Sequence, residues 1–583
     1  MKMKLNFDLS NVFQIVKQNN LASGTRYLVK QLPSKGYSLA IGTGLIVLVS
    51  FLSAFTFSTA FEEKVAGNLQ IQLNEKTTAG LFVNPAQRPV LTAALTELYE
   101  ANNFKPLWLQ SASDKSNLDS LLSVLRKAGQ EGLQPATYHV HQLETLTAEE
   151  GLFSDAARVA ELDQVATAAY LLYASHVYNG SISPTQLDAN WHIKIKQLAL
   201  VPHLQNALQT SKIKESLTEL ANVNPASAQL KRELANLRGI AEIGGWPTNN
   251  KIVVKNDANE AVTILKKRLV FSGDLDSTLS KGNLYDQAVS KAVEKFQKRH
   301  GLQVTGKVDQ KTVNTLNVPV EKRIEQVIVN LERLRWQPRR GTETVIAVNI
   351  PEFKLRVYEA NKKVLESRVV VGKTNFATPV FEDSLETIVF SPEWNVPDQI
   401  AREEILPQLQ KSAGYLEKNN FLLYDSYSAT AKPLNAYAIN WQAVTPENFK
   451  YRIVQKANPK NALGAVKFLF PNPLNIYIHD TPAKQLFNEN KRAYSHGCIR
   501  LENPGKLATV LLKNDNAWTV DKIQEKMNQL ESTKVGLKKA VKVNIMYLTA
   551  FVHDGQLQFR DDVYGYDQAQ LATLKNPSFV ALR

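Results

Sequence analysis

The 583-residue chain holds one cysteine, Cys498, inside the stretch AYSHGCIRLENPG at 493–505. A thiol attacks as its thiolate. With an ordinary pKa near 8.5 it needs a base or a positive neighbour to reach that form at neutral pH. Two of the nine histidines lie within twenty residues of it: His496 two before and His479 nineteen before. His479 ends the apolar run NIYIHD, where the two-residue period of a strand puts Tyr477 and His479 on one face. A histidine at a strand end, facing a thiol on a glycine-preceded turn, is an arrangement for covalent catalysis. Gly497 lets the backbone approach closely, so its N–H and that of Cys498 are candidate oxyanion donors. Arg500 is a candidate for holding a carboxylate or a loop carbonyl. The competing reading of Cys498 is a buried structural thiol, a common fate of free cysteine.

The compartment bears on that choice. From Gly36 to Phe61 no residue is charged, which is long enough to span a bilayer. Lys2, Lys4, Lys17, Arg26, Lys30 and Lys35 precede this run against Asp8 alone, and Glu62 and Glu63 follow it. The positive-inside rule puts residues 1–36 in the cytoplasm, a single-pass anchor at 37–61, and the rest outside. A signal peptide cleaved near Ala60 is the alternative. Outside the cytoplasm a leftover thiol is reactive or paired between chains. The net charge of +14 invites a nucleic-acid reading, but Lys and Arg are interleaved with Asp and Glu along the chain. A solvated surface facing anionic material is the better reading, and no nucleic-acid partner is expected.

The elements that position these residues form several domains, since roughly 100–200 residues make one. Residues 62–80 read as a polar stalk. Helical patterning dominates 81–248: Leu91, Ala94, Leu95 and Leu98 share one helical face, Gly180 is a stop signal, and GGWP at 244–247 is a breaker. His139 and His141 would share a face on a strand, but no third metal ligand is near, so neither metal nor cofactor is expected. Residues 260–318 form a compact helical module with Val289, Ala292, Val293 and Phe296 on one side and Gly301 as a C-terminal stop. A helical linker is expected at 319–341. From 342 to 535 short Val- and Ile-rich runs predict strands, interrupted at about 400–450 by charged, helix-like sequence that reads as an inserted lid. Strands and a tail follow at 536–583.

Chain order discriminates among cysteine enzymes. Papain-like and common cell-wall cysteine peptidases place the cysteine before the histidine, and sortases have a longer His–Cys gap. A histidine followed by Ser-His-Gly-Cys-x-Arg resembles the L,D-transpeptidase catalytic domain. VVVGKTNFATPVF, PEWNVPDQIAREEILP, NALGAVKFLFPNPLNIYIHDTP and YLTAFVHDGQLQFRDDVYG resemble its large, membrane-anchored Gram-negative subfamily. YEANNFKPLW, GLQPATY and GGWP resemble that subfamily's scaffold domain, and 260–318 resembles the peptidoglycan-binding repeat. The fold class expected is multidomain α+β: a β-rich catalytic domain with a lid, a small helical wall-binding module, a mostly helical scaffold and one transmembrane helix.

The resemblance implies that Cys498 is the nucleophile and His479 its base, with a backbone carbonyl rather than a carboxylate as third member. Asp480 next door is the residue to test. It implies that Gly497, His496 and Tyr477 line the oxyanion side, Ser495 and Arg500 hold the loop and substrate, and Trp394 and Asn395 form a pocket wall. The implied reaction is acyl transfer between peptidoglycan stem peptides, giving 3→3 cross-links with loss of a terminal D-alanine, and acylation of Cys498 by carbapenems. The expected partners are donor and acceptor stems, wall glycan and the bacterial inner membrane, with the catalytic body in the periplasm. The alternatives are L,D-carboxypeptidase action, sortase-like attachment of proteins, or a non-catalytic wall-binding scaffold.

Overall fold

The computed structural model describes residues 57–575 apart from 110–114, 222–223, 249–250, 252–255, 339–340 and 429. The expected cytoplasmic tail and nearly all of the expected membrane span lie outside the described residues. Among the described residues no helix is long and apolar enough to cross a membrane.

Residues 62–80 are not a free stalk. They belong to helices Thr59–Gln72 (α1) and Glu75–Leu81 (α2), and Val65 and Leu69 are fully buried. Two apolar residues four apart make a narrow stripe, enough to dock one helix face while the composition still reads as polar. The helix they dock on is Ala156–Asn179 (α3), whose Gln164 amide donates to the Leu69 carbonyl at 3.2 Å. Asp155 caps α3 by accepting from the N–H groups of Ala157 and Arg158, and Gly180 ends it. Ala160, Ala166, Ala168, Ala169 and Ala174 are fully buried along α3, so neighbours approach from several sides. Leu91, Ala94, Leu95 and Leu98 are buried in a helix packed on it. His139 precedes a helix and His141 lies within it, so the strand expected for this pair is absent.

Pro225–Glu242 (α4) leads into the small module, built from Glu260–Phe271 (α5), Gln287–Arg299 (α6) and Gln310–Leu316 (α7). Asn259, Asp286 and Asp309 each cap one of these three helices through a side-chain oxygen, each cap contributing about 1 kcal/mol. Val289, Ala292, Val293 and Phe296 face the module's own core.

The expected linker is instead a spine. Val320–Trp336 (α8) packs on α4 and is buried along most of its second half. Two of its buried arginines are paired: Arg335 with Glu332 at 2.7 Å, and Arg333 with Asp567 at 2.6 Å. Glu332 also accepts from the Ile182 N–H at 3.0 Å, tying the spine to the end of α3. Pairing is what lets so charged a helix be buried.

The strands are Trp191–His192 (β1), Val345–Asn349 (β2), Lys354–Glu359 (β3), Lys362–Gly372 (β4), Val380–Phe390 (β5), Trp394–Asn395 (β6), Phe421–Tyr424 (β7), Arg452–Gln455 (β8), Val466–Leu469 (β9), Ile478–His479 (β10), Ala493–Ser495 (β11), Ile499–Leu501 (β12), Thr533–Met546 (β13), Ala550–His553 (β14) and Gln556–Phe559 (β15). The main sheet runs β5-β13-β2-β3-β4-β12-β10-β9, and β9 pairs again with β5, closing a ring. β13 pairs with both β2 and β5, so a boundary at 535 would cut through a strand of the catalytic sheet. The insertion has its own sheet, β6-β8-β7, and its own core around Ile405, Leu409, Trp441 and Ile453. Because β6 and β8 flank it, the unit runs from 394 to 455 rather than 400 to 450.

Candidate active site

β10 and β12 lie side by side in parallel, with Ile478 opposite Ile499 and His479 opposite Arg500. Ile478 and Ile499 face inward and are fully buried. The two-residue period therefore turns Tyr477, His479, Cys498 and Arg500 to the other face. The Ile499 N–H donates to the Tyr477 carbonyl at 3.1 Å, which fixes Tyr477 beside the thiol.

The turn carrying Cys498 is braced from within. The Ser495 hydroxyl donates to the Cys498 carbonyl at 2.6 Å and accepts from the Gly497 N–H at 3.2 Å. Thr378 Oγ1 donates to the Gly497 carbonyl at 2.7 Å and accepts from the Gly372 N–H at 2.8 Å. Gly497 takes a φ of 105°, and a Cβ there would lie 3.2 Å from Ile476 Cδ1. Two expectations change. Ser495 is buried with its hydroxyl committed to the loop, so it braces the turn instead of facing substrate. The Gly497 N–H is taken up by Ser495, so the expected pair of adjacent oxyanion donors is not assembled. Tyr477 instead stands beside the Cys498 sulfur, its backbone and phenol pulling the thiol down against burial.

His479 is buried, and its Nδ1 lies 2.5 Å from the Asp480 carbonyl oxygen. A carbonyl only accepts, so Nδ1 carries the proton and Nε2 keeps the basic lone pair. Burial, reinforced by the Arg500 charge, lowers the imidazole to about 3. Burial pushes the Cys498 thiol up to about 11, against the lowering pull of Tyr477 and Arg500. The resting pair is thus a neutral thiol and a neutral imidazole. Burial, then the neighbouring sulfur, raises the Tyr477 phenol well above its ordinary value, so it remains a donor. The Asp480 carboxylate points elsewhere, accepting from the Ala465 N–H at 2.8 Å and pairing with Lys484.

The remaining expected residues separate into two groups. Trp394 reaches the site, since its side chain lies beside the Tyr477 phenol and counters part of its upward shift. Arg500 Nε is buried without an acceptor, beside the sulfur and within the field of Glu404. Asn395 does not join them: its Oδ1 accepts from Arg452 Nε at 2.9 Å and Nη2 at 2.7 Å within the sheet of the insertion. His496 turns to the insertion as well, with Nε2 at 2.7 Å from Glu404 Oε1 and its ring edge-on to Phe376. Sequence reasoning missed Glu404, Thr378 and Asn475, whose carbonyl receives the thiol at 3.7 Å. Only Asn475 left a local signal, a Pro-x-Asn turn just before the strand.

Comparison with known proteins matches three family models: "L,D-transpeptidase catalytic domain" over residues 343–527, "Putative peptidoglycan binding domain" over 258–316 and "Scaffold domain" over 93–234. A curated protein of Haemophilus influenzae, "Putative L,D-transpeptidase", is 34% identical over 244 residues, 42% of this chain and 48% of that protein. The chain therefore spans about half the length of the curated relative it matches. Solved L,D-transpeptidases of Xylanimonas cellulosilytica and Stackebrandtia nassauensis are each 13% identical. They cover 51% and 52% of this chain, with 99% and 96% of their own, at TM-scores of 0.17 and 0.19. At such scores no residue correspondence follows. The sequence matches carry the assignment: this chain holds an L,D-transpeptidase catalytic domain, joined to a scaffold domain and a peptidoglycan-binding-type domain.

Proposed function

We propose that the chain is a peptidoglycan L,D-transpeptidase that forms 3→3 cross-links through a thioester on Cys498. The observation that carries this reading is the shared face of Tyr477, His479, Cys498 and Arg500, with His479 held in one tautomer by the Asp480 carbonyl. In the first step the Cys498 sulfur bonds to the carbonyl carbon of the third stem residue as His479 Nε2 takes the thiol proton. Tyr477, which lowers the thiol from beside it, is assigned to stabilise the negative charge that develops at the sulfur. The C–N bond to the terminal D-alanine then breaks, and His479 returns its proton to the departing amine. In the second step a side-chain amine of another stem attacks the thioester. The new C–N bond forms as the amine proton passes to His479, the C–S bond breaks, and His479 returns the proton to the sulfur.

Arg500 is the residue we assign to a substrate carboxylate, because its buried Nε meets no protein acceptor. Trp394 is assigned to the pocket wall through Tyr477. The proposed place of action is the bacterial periplasm, where stem peptides are found. The test is mass spectrometry of muropeptides made from a purified tetrapeptide donor and acceptor. Wild type is expected to give 3→3 dimers, and Cys498→Ala none. Dimers from the mutant would overturn the reading. Tripeptide without dimer would assign the thioester to hydrolysis, and deletion of 260–318 abolishing wall association in an inactive wild type would favour a binding scaffold.

A further inference from the structure

A polar cavity of about 480 Å³ lies where three units meet: α4 of the helical domain, α5 and α6 of the small module, and the β14–β15 hairpin. Its lining includes Arg268, Arg299 and Arg323. Asp274 accounts for one of them, taking Arg299 Nε at 2.7 Å and Nη2 at 2.6 Å in a fork-to-fork pair. Arg268 and Arg323 have no carboxylate. Arg268 Nε donates to the Leu316 carbonyl at 2.8 Å, and its guanidinium stacks 3.8 Å from the Trp246 ring. Arg323 Nη1 donates to Gln326 Oε1 at 2.8 Å, and its guanidinium lies 4.5 Å over Phe559. Both side chains are deeply buried, at 3% and 8% exposure. Arg268 Nη1 and Arg323 Nε are buried donors without an acceptor.

The surrounding charge sharpens the imbalance. Lys295 reaches the Gly273 carbonyl at the same wall, at 2.7 Å. The other acid in the lining, Glu233, accepts from the Asn236 amide at 3.4 Å. Burial, then mutual repulsion with Arg299, lowers Arg268 to about 9 and Arg323 to about 10. His300, stacked on Phe296, is held well below its ordinary value by burial and the same arginines, so it adds no charge. Three buried guanidiniums share one directly paired carboxylate, with the exposed Asp561 acting on Arg323 only from a distance, so burying the cluster is costly unless an anion joins it.

We propose that this cavity binds an anion of the carboxylate or phosphate class, with Arg268 and Arg323 as the donors that Asp274 leaves unneutralised. Two sources share this chemistry: the lactyl carboxylate of a muramyl sugar that carries no stem peptide, and a phosphate group. The inference does not depend on the reading of Cys498.

The experiment titrates the full-length chain with N-acetylmuramic acid and, separately, with inorganic phosphate at matched ionic strength. It follows heat and the fluorescence of Trp246, which stacks on Arg268. Saturable binding of at least one probe is expected, weakened about tenfold or more in Arg323→Gln, as loss of a hydrogen bond to a charged group implies. Trp246→Phe is expected to keep the heat signal and lose the fluorescence response. Binding of phosphate alone identifies a phosphate ligand, and binding of the sugar alone a wall carboxylate. If Arg323→Gln does not fold, Arg268→Lys, which keeps the charge but loses the fork, takes its place. No saturation by either probe up to about 10 mM, or unchanged affinity in a folded arginine variant, overturns the proposal.

Discussion

His479 Nδ1 faces the backbone carbonyl of Asp480 at 2.5 Å, while the carboxylate of the same Asp480 turns to Ala465 and Lys484. The imidazole is therefore oriented by main chain. We expect Asp480→Asn to keep kcat/KM within about tenfold of wild type, whereas loss of a triad carboxylate costs on the order of 10⁴. Steady-state kinetics on a tetrapeptide donor checks this. A loss above about a thousandfold in a variant with native thermal stability would make the carboxylate part of the catalytic machinery.

The two neutral partners set a pH dependence. His479 titrates near 3 and Cys498 near 11 in the folded protein. Alkylation of Cys498 in the free protein is expected to rise steadily through pH 9 without a plateau near 8.5, and to show no inflection near 6.5. The folded value of His479 lies below its ordinary 6.5. The folded state then binds fewer protons, so its contribution to stability is full above 6.5 and is lost as pH falls toward about 3. His479→Gln is expected to flatten that part of the acid-unfolding curve. An alkylation plateau near neutrality would contradict a neutral resting pair.

Glu404 couples the insertion to the catalytic turn. The His496–Glu404 pair is partly exposed, with side chains at 24% and 51%, so its stabilising contribution is about 0–1 kcal/mol. Glu404→Gln is expected to leave the melting temperature nearly unchanged. It is expected to speed amide exchange across 398–411, and to raise the reaction of Cys498 with bulky thiol reagents more than with small ones. Equal exchange in both proteins would remove the insertion from control of access.

The turn itself is the most fragile part of the site. Gly497→Ala places a side chain at a φ of 105° and against Ile476. A destabilisation of about 1–3 kcal/mol is expected, together with loss of acylation. Ser495→Ala leaves the Gly497 N–H without its acceptor and the Cys498 carbonyl without its donor. A similar loss of about 1–3 kcal/mol is expected from those unpaired groups. Chemical denaturation measures both, and wild-type stability in either variant would count against the bracing role.

What the sequence made legible was local. Tyr477 and His479 share a strand face because alternation is a property of consecutive residues, and Cys498 follows a glycine in its own turn. The shared face of Val289, Ala292, Val293 and Phe296 was similarly readable, since helical spacing repeats within one turn. The contact between Glu404 and His496 was not readable, because nothing near either residue specifies a partner so distant in the chain. The burial of the helix at 320–336 was not readable either, because Arg333, Glu332 and Arg335 are buried through pairs with distant or neighbouring groups. Polarity misled at 62–80, where Val65 and Leu69 suffice to dock a polar helix. The resemblance gave Ser495 both the loop and the substrate, and the geometry of its hydroxyl, bonded at both ends to the turn, accounts for the loop part alone.

The central claim is that Cys498 carries the acyl group between donor and acceptor. Intact-protein mass spectrometry during incubation with a tetrapeptide donor and no acceptor tests it most directly. Wild type is expected to gain the mass of the donor less D-alanine, mapped to Cys498 by digestion and released by an added amine, while Cys498→Ala gains nothing. Turnover of the donor by wild type with no adduct on Cys498 under rapid quench, or an adduct that persists in Cys498→Ala, would contradict it.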